Sequence, residues 1–151
     1  MAAGRWIRIQ PTGQPEIRRL RADLPFSRPA VVLSGGPASV YDEGALAADP
    51  AVFELGVPLL GICYGMQLMA QGLGGEVRGS ELREYGLAEL EVTGPSTVFA
   101  GTPERQPVWM SHGDQVATLP DGFVVTARTD SAPIAAMEHR ARRWYGVQFH
   151  P

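Results

Sequence analysis

Hydrophobic residues along the chain fall in short runs separated by glycine and proline turns. Residues 30–34 and 57–62 are apolar runs of strand length, and each is predicted to be a buried strand. In residues 64–73 the apolar positions recur at helical spacing, so a helix that ends at two glycines is predicted there. The second strand and this helix meet at Cys63, which predicts a tight strand-to-helix turn around that residue.

Weaker patterns complete the first half of the chain. Residues 6–9 alternate weakly and are predicted to be a short strand, and residues 15–24 are predicted to be a short helix that opens at a proline. Asp49 is predicted to cap a further short helix that ends at Leu55.

The second half of the chain is rich in strand patterns. Strands are predicted at residues 87–92, 108–110, 123–128, 134–137 and 144–149. The last two are expected to form a hairpin around residues 139–142. Together the two halves predict a three-layer α/β domain, with a mostly parallel central sheet flanked by helices and a small antiparallel β extension.

The composition supports one packed domain comprising residues 1–151. Hydrophobic residues make up 44% of the chain, too many for a disordered protein, and 18 glycines and 13 prolines indicate many tight turns. The net charge of −3 gives no reason to expect nucleic-acid binding. No apolar run approaches the roughly 20 residues of a membrane span. Arginines cluster near the N-terminus, but Glu16 and Asp23 interrupt them, which favours a solvated helix face over a transit peptide.

Cys63 is the candidate nucleophile. It is the only cysteine, so no intrachain disulfide can form, which fits a cytoplasmic protein. Gly61 and Gly65 flank it at a strand-to-helix turn, the position of the nucleophile in α/β hydrolases, and would permit positive φ and close backbone approach. The following helix N-terminus is expected to lower the pKa of the thiol. The alternative is an inert buried cysteine, but the flanking glycines favour the nucleophile.

Three histidines are candidates for the base that a cysteine nucleophile needs. His150 ends an apolar strand, where polar residues of α/β sites gather. His112 lies in a polar segment, residues 109–114, that is predicted to be a turn; a local hydrogen bond and a substrate contact are both open for it. His139 lies among charged residues and is expected to be in an exposed turn without a catalytic role.

The order of four motifs resembles the class I glutamine amidotransferases. The motifs are Ser34-Gly35-Gly36-Pro37, Gly-Ile-Cys-Tyr-Gly-Met-Gln at residues 61–67, Ser111-His112-Gly113, and Gly-Val-Gln-Phe-His-Pro at residues 146–151. Within that family, four stretches resemble the GMP synthase family in particular. They are LSGGPASVY at residues 33–41, Cys63-Tyr64, Arg-Glu-Tyr-Gly at residues 83–86, and VWMSHGD at residues 108–114.

The resemblance implies a role for each motif residue. Cys63 would be the nucleophile and His150 the base, and Gly36 and Tyr64 would supply the N–H groups of an oxyanion hole. The residues expected to hold L-glutamine are Gln67, Ser111, His112, Gly113 and Asp114. No metal or cofactor is implied for this domain. Ammonia would pass to an adenylylated XMP on a separate ATP-pyrophosphatase domain, fused or not, where ATP and Mg²⁺ are expected.

Two departures from the family pattern lead to expectations about this chain. The family's triad ends in His-Pro-Glu, whereas this sequence stops at Pro151, and Glu138 is expected to lie across a hairpin turn and not to substitute. The family also begins with a further strand and helix. We therefore expect an amidotransferase domain, residues 1–151, that lacks both segments and is weakly active or inactive. An amidotransferase serving another acceptor, a γ-glutamyl cysteine hydrolase and a catalytically dead regulatory module are the alternatives.

Overall fold

The computed structural model of the chain describes residues 30–36, 39–43, 45 and 48–151. The strand predicted at residues 6–9 and the helix predicted at residues 15–24 lie outside this part. The described elements are β1 (Val31–Leu33), a 3₁₀ helix (Pro50–Glu54), β2 (Leu59–Ile62), α1 (Tyr64–Gly72), β3 (Glu76–Val92), β4 (Arg105–Thr118), β5 (Val124–Arg128), β6 (Ala136–His139), a second 3₁₀ helix (Arg140–Arg142) and β7 (Trp144–Val147).

The strands form one sheet in the order β1-β2-β7-β6-β5-β3-β4. The β1–β2 and β2–β7 pairs are parallel, and the other neighbouring pairs of the described sheet are antiparallel. The predicted α/β fold, with a parallel part continued by an antiparallel extension, is confirmed. Among the described strands, however, the antiparallel part is larger than predicted.

That difference lies in β3 and β4. The sequence predicts short strands at residues 87–92 and 108–110, whereas the structure has strands of 17 and 14 residues that pair along most of their length. Their register shifts between Gly79 and Glu84. Glycines and polar residues interrupt the apolar alternation in both segments, so the sequence pattern predicts strands that are too short. The pairing continues past these residues because it is made by backbone N–H and C=O groups.

Several local predictions are confirmed. The Asp49 side chain caps the first 3₁₀ helix by accepting a hydrogen bond from the backbone N–H of Ala51 at 2.9 Å. Strands β6 and β7 form the predicted hairpin, closed by Arg140–Arg142 and a left-handed Arg143. The buried Glu138 accepts hydrogen bonds from Thr97 N at 3.0 Å and Thr97 Oγ1 at 2.7 Å, so its carboxylate is held there.

Helix α1 supplies the centre of the main hydrophobic cluster. Met66 and Met69 are fully buried and pack with Leu59 of β2, Met137 of β6 and Trp144 of β7. Burying side chains of this size stabilises a fold by roughly 1.5–3 kcal/mol each, so α1 is fixed firmly on the sheet beneath the turn at Cys63. In the part of the chain described, no helix is long and apolar enough to cross a membrane.

Candidate active site

Cys63 occupies a strained backbone position between β2 and α1. Its φ is 52° and its ψ is −110°, backbone angles that residues other than glycine rarely adopt. The position is held from both sides, because Cys63 N donates to Val147 O at 2.7 Å and Cys63 O accepts from the N–H groups of Met66 and Gln67. Strain of this kind, of order 1–3 kcal/mol, persists where the surrounding structure overdetermines it, commonly at active sites.

The two glycines flanking Cys63 are needed for close packing. A Cβ on Gly61 would lie 2.7 Å from Gly65 O, and a Cβ on Gly65 would lie 1.9 Å from Leu33 O. The prediction of close backbone approach is confirmed. The positive φ that the flanking glycines would permit lies instead at Cys63 itself, where the chain turns from β2 into α1.

The thiol of Cys63 is buried and makes several polar contacts. Its S–H points to Ser111 O at 3.5 Å, and Gln148 Nε2 donates to Sγ at 3.7 Å. Burial raises the pKa of the thiol, although the backbone N–H of Tyr64 and the Gln148 carboxamide oppose that rise. The prediction of a lowered pKa is therefore wrong for the net direction, since desolvation of the thiolate outweighs the N–H groups at the start of α1.

His150 and Cys63 both lie close to Gly35. The backbone N–H of His150 donates to Trp109 O at 2.9 Å, which holds the end of the chain against β4. A Cβ built on Gly35 would lie 3.0 Å from His150 Cε1 and 3.6 Å from Cys63 Cβ. Nucleophile and base candidates thus border the same glycine, and the loop after β1 opens on the same sheet edge as the Cys63 turn, as predicted.

The position of Gly35 makes a specific prediction. Substituting Gly35→Ala places a methyl group against the imidazole, so we expect glutamine hydrolysis to fall about tenfold to hundredfold because the reacting groups are displaced by a fraction of an ångström. Gly94→Ala is the control, because no atom lies within 4 Å of its Cβ position. Steady-state rates and thermal melts of both variants check this. Equal rates for the two variants would show that the space beside Gly35 is not where the reaction occurs.

The Ser111 to Asp114 segment does not form the predicted turn. All four residues lie within β4, where Ser111 pairs with Tyr85 and His112 with Glu84. The prediction of a turn is wrong because the polar residues are satisfied by cross-strand pairing and by contacts to α1. Ser111 is brought against the Cys63 thiol through its carbonyl oxygen.

Asp114 connects three parts of the site. Its backbone carbonyl accepts hydrogen bonds from Gln67 Nε2 at 2.7 Å and from His112 Nδ1 at 3.1 Å. Its carboxylate accepts a hydrogen bond from Ser39 Oγ, which holds Ser39 against β4. Gln67 is buried and also donates to Gln148 Oε1 at 3.3 Å. The predicted glutamine-binding residues therefore lie in one connected cluster.

His112 is buried and faces Glu84. Its Nε2 lies 3.4 Å from Glu84 Oε2, an ion-pair distance without hydrogen-bond geometry. Burial lowers the pKa of the imidazole, and the Glu84 carboxylate partly opposes the shift. A neutral imidazole donates through Nδ1 to the Asp114 carbonyl, because a carbonyl oxygen can only accept. The local hydrogen bond that the sequence left open is thus present.

His139 differs from its predicted environment. The sequence predicts an exposed turn, whereas His139 ends β6 and is partly buried against Phe123 and Trp144, with ring centroids 5.3 Å and 6.0 Å away. The charged neighbours in sequence point elsewhere, because alternate residues of a strand face opposite sides. The described contacts of His139 are therefore aromatic and lie apart from the hydrogen bonds around Cys63.

Gly36 and Tyr64, the predicted oxyanion-hole residues, are adjacent. A Cβ on Gly36 would lie 3.5 Å from the Tyr64 ring, and the N–H of Tyr64 is directed at the thiol of Cys63. Sequence reasoning missed Gly35 and Gln148. The signal for Gln148 was a polar residue between Val147 and Phe149 in an otherwise apolar run that leads to His150.

Known proteins match this chain in sequence and in structure. Relatives named GMP synthase [glutamine-hydrolyzing] include one from Geobacillus kaustophilus, 57% identical over 136 residues, and one from Thermobifida fusca, 57% identical over 122 residues. These matches cover 90% and 81% of this chain but 26% and 23% of the relatives, so the chain spans about a quarter of their length.

Solved structures agree with this fold. A candidate GMP synthase subunit from Thermoplasma acidophilum has a TM-score of 0.76 and 27% identity, with 95% of this chain and 81% of that chain covered. A glutamine amidotransferase from Thermotoga maritima has a TM-score of 0.68 and 28% identity, with 83% and 59% covered. The family model "Glutamine amidotransferase class-I" matches residues 14–151. The chain therefore belongs to the class I glutamine amidotransferase family.

Proposed function

We propose that this chain is the glutamine-hydrolysing domain of a GMP synthase and that it releases ammonia from L-glutamine through a thioester on Cys63. The observation that carries the proposal is that a Cβ built on Gly35 would lie 3.6 Å from Cys63 Cβ and 3.0 Å from His150 Cε1, so both side chains lie beside the same glycine. The strained turn at Cys63 supports it, because such a turn places a nucleophile beside the N–H groups at a helix start.

The reaction divides into two steps that use the same residues. His150 accepts the thiol proton, the thiolate of Cys63 attacks the γ-carbonyl carbon, and the tetrahedral oxyanion is stabilised by N–H groups of Gly36 and Tyr64. The C–N bond then breaks as His150 gives its proton to the departing ammonia. Water, deprotonated by His150, cleaves the thioester to glutamate and restores the thiol.

The polar cluster around Asp114 would hold the amino-acid end of glutamine. Gln67, Ser111, His112, Gly113 and Asp114 converge beside the thiol, and Ser39 anchors the Asp114 carboxylate. The side chains of Gln67 and His112 are already held by hydrogen bonds to the Asp114 carbonyl oxygen. A site held in this way binds a small polar substrate with little loss of side-chain entropy.

The acceptor of the ammonia follows from the relatives and not from this chain's residues. We propose that the ammonia aminates an adenylylated XMP to GMP on an ATP-pyrophosphatase domain that binds ATP and Mg²⁺. The relatives are about four times as long as the match to this chain, which supports a synthetase domain joined to it in the cytoplasm.

Glutamate and ammonia released from glutamine test the proposal directly. We expect glutamine to be hydrolysed in preference to γ-glutamyl peptides, and we expect a glutamine-derived diazoketone to label Cys63 faster than it labels a free thiol. Preferential peptide cleavage would favour a γ-glutamyl hydrolase. Labelling no faster than a free thiol would favour a binding or regulatory module. The acceptor is tested by joining the chain to the remainder of a relative and supplying XMP, ATP and glutamine. We expect this joined protein to form GMP.

A further inference from the structure

Gln148 is a buried carboxamide that touches the candidate nucleophile directly. It is fully buried, and its Nε2 lies 3.7 Å from Cys63 Sγ. Its Oε1 accepts from Gln67 Nε2 at 3.3 Å, and its backbone N–H donates to Ala135 O at 2.9 Å. The Gln148 side chain therefore contacts two residues that are distant in sequence, Gln67 at a separation of 81 residues and Cys63 at a separation of 85.

The direction of this hydrogen-bond chain is determined at its far end. The Asp114 backbone carbonyl can only accept, so the group of Gln67 that faces it at 2.7 Å must be the amide nitrogen. The second hydrogen of that nitrogen is directed at Gln148, so the atom of Gln148 that it meets must be the oxygen. Gln148 consequently presents its own N–H to the sulfur. An amide orientation that is ambiguous when viewed alone is resolved here by the network.

We propose that Gln148 is a catalytic residue that stabilises the Cys63 thiolate and that Gln67 positions it by locking its carboxamide. A hydrogen bond from an amide to a charged acceptor is stronger than one to a neutral acceptor, so this contact favours the thiolate over the thiol. The proposal rests on the proposed nucleophilic role of Cys63. It gives Gln67 a role in orienting Gln148 in addition to any contact with glutamine.

Stabilisation of the Cys63 thiolate is needed at this site because burial favours the neutral thiol. Desolvation raises the pKa of the Cys63 thiol, and the Tyr64 N–H and the Gln148 carboxamide are the groups that oppose the rise. Other titratable groups face the same region from the neighbouring elements. They are His150 after β7, His112 and Asp114 on β4, Glu84 on β3, and Tyr64 on α1.

The test uses the single cysteine of the chain. Gln148→Met keeps the length of the side chain but removes the donor, so the pKa of the Cys63 thiol should rise further. We expect alkylation by iodoacetamide at neutral pH to slow about tenfold, the effect of one pKa unit. The midpoint of a pH titration that follows the ultraviolet absorbance of the thiolate should also move to higher pH. This measurement does not depend on how easily a reagent reaches the thiol. Gln115→Met is the matched control, because Gln115 is a glutamine of β4 that lies outside the hydrogen bonds described for Cys63.

Gln67→Met provides a second variant that leaves Gln148 in place. It removes the hydrogen bond that orients the Gln148 carboxamide. We therefore expect Gln67→Met alone to slow alkylation less than Gln148→Met does, and the double variant to react no more slowly than Gln148→Met. If Gln148→Met does not fold, Gln67→Met decides the matter. A thiol titration and alkylation rate that match those of Gln115→Met would overturn the proposal. The thiol measurements need no glutamine turnover, so a chain that titrates as expected but does not hydrolyse glutamine would contradict the proposed function and leave the stabilisation of the thiolate by Gln148 standing.

Discussion

Replacing Cys63 by alanine should abolish glutamine hydrolysis by this chain joined to the remainder of a relative. The thioester cannot form without the sulfur, and removal of the nucleophile from a comparable covalent enzyme lowers turnover by about 10⁶-fold. Cys63→Ser should fail almost as completely, because a hydroxyl at the same position is far less ionised than a thiol. Release of glutamate, measured with each variant and with the unchanged protein, checks the expectation.

Folding must be shown to survive these substitutions. Cys63 is only 5% exposed, but its side chain is small, so thermal melts close to that of the unchanged protein are expected for both variants. The diazoketone should add to the unchanged chain and to neither variant, since Cys63 is the only cysteine. Glutamate release that persists in well-folded Cys63→Ala would show that another residue is the nucleophile.

Gly65→Ala should be among the most destabilising single substitutions in the chain. The new Cβ would lie 1.9 Å from Leu33 O, 2.5 Å from Leu33 C and 2.8 Å from Leu33 Cβ. Two of these atoms are backbone atoms of a paired strand, so α1 must move away from β1 as a unit. We expect a loss of about 3 kcal/mol, the upper end of what overpacking usually costs, against a total stability of roughly 5–15 kcal/mol.

The urea midpoint of Gly65→Ala measures that loss. Gly94→Ala again serves as the control, with a change within about 0.5 kcal/mol because its Cβ meets nothing. Movement of α1 also displaces the N–H of Tyr64 from the thiol of Cys63, so glutamine hydrolysis should fall together with stability. A midpoint for Gly65→Ala equal to that of the control would mean that α1 and β1 do not approach each other as closely as described.

The local structure around Cys63 was predictable because it depends on residues that are adjacent in sequence. Gly61 and Gly65 permit the approach of β2, α1 and β1, and the apolar spacing of residues 64–73 specifies the helix that follows. The Asp49 cap and the β6–β7 hairpin were predictable for the same reason. The motif order also sufficed to indicate the family, which the comparisons confirm.

The direction of the Cys63 pKa shift was not predictable in this way. Sequence shows the helix start, which lowers the pKa, but it does not show the burial that raises it. The length of β3 and β4 was also not predictable from the sequence. Ser111 and His112 follow no apolar alternation, and they pair with residues on another strand. His139 has charged neighbours in sequence but aromatic neighbours in space.

By itself, then, the sequence determined the strand-to-helix turn, the nucleophile and base candidates, and the family. Tertiary structure alone decided that Cys63 and His150 lie beside the same glycine, Gly35, and that Gln148 reaches the sulfur. The physical reason is the range of the interactions. Turn and helix geometry arise from steric contacts within a few residues, whereas burial, strand pairing and hydrogen-bond networks join segments separated by tens of residues and exist only once the chain has folded.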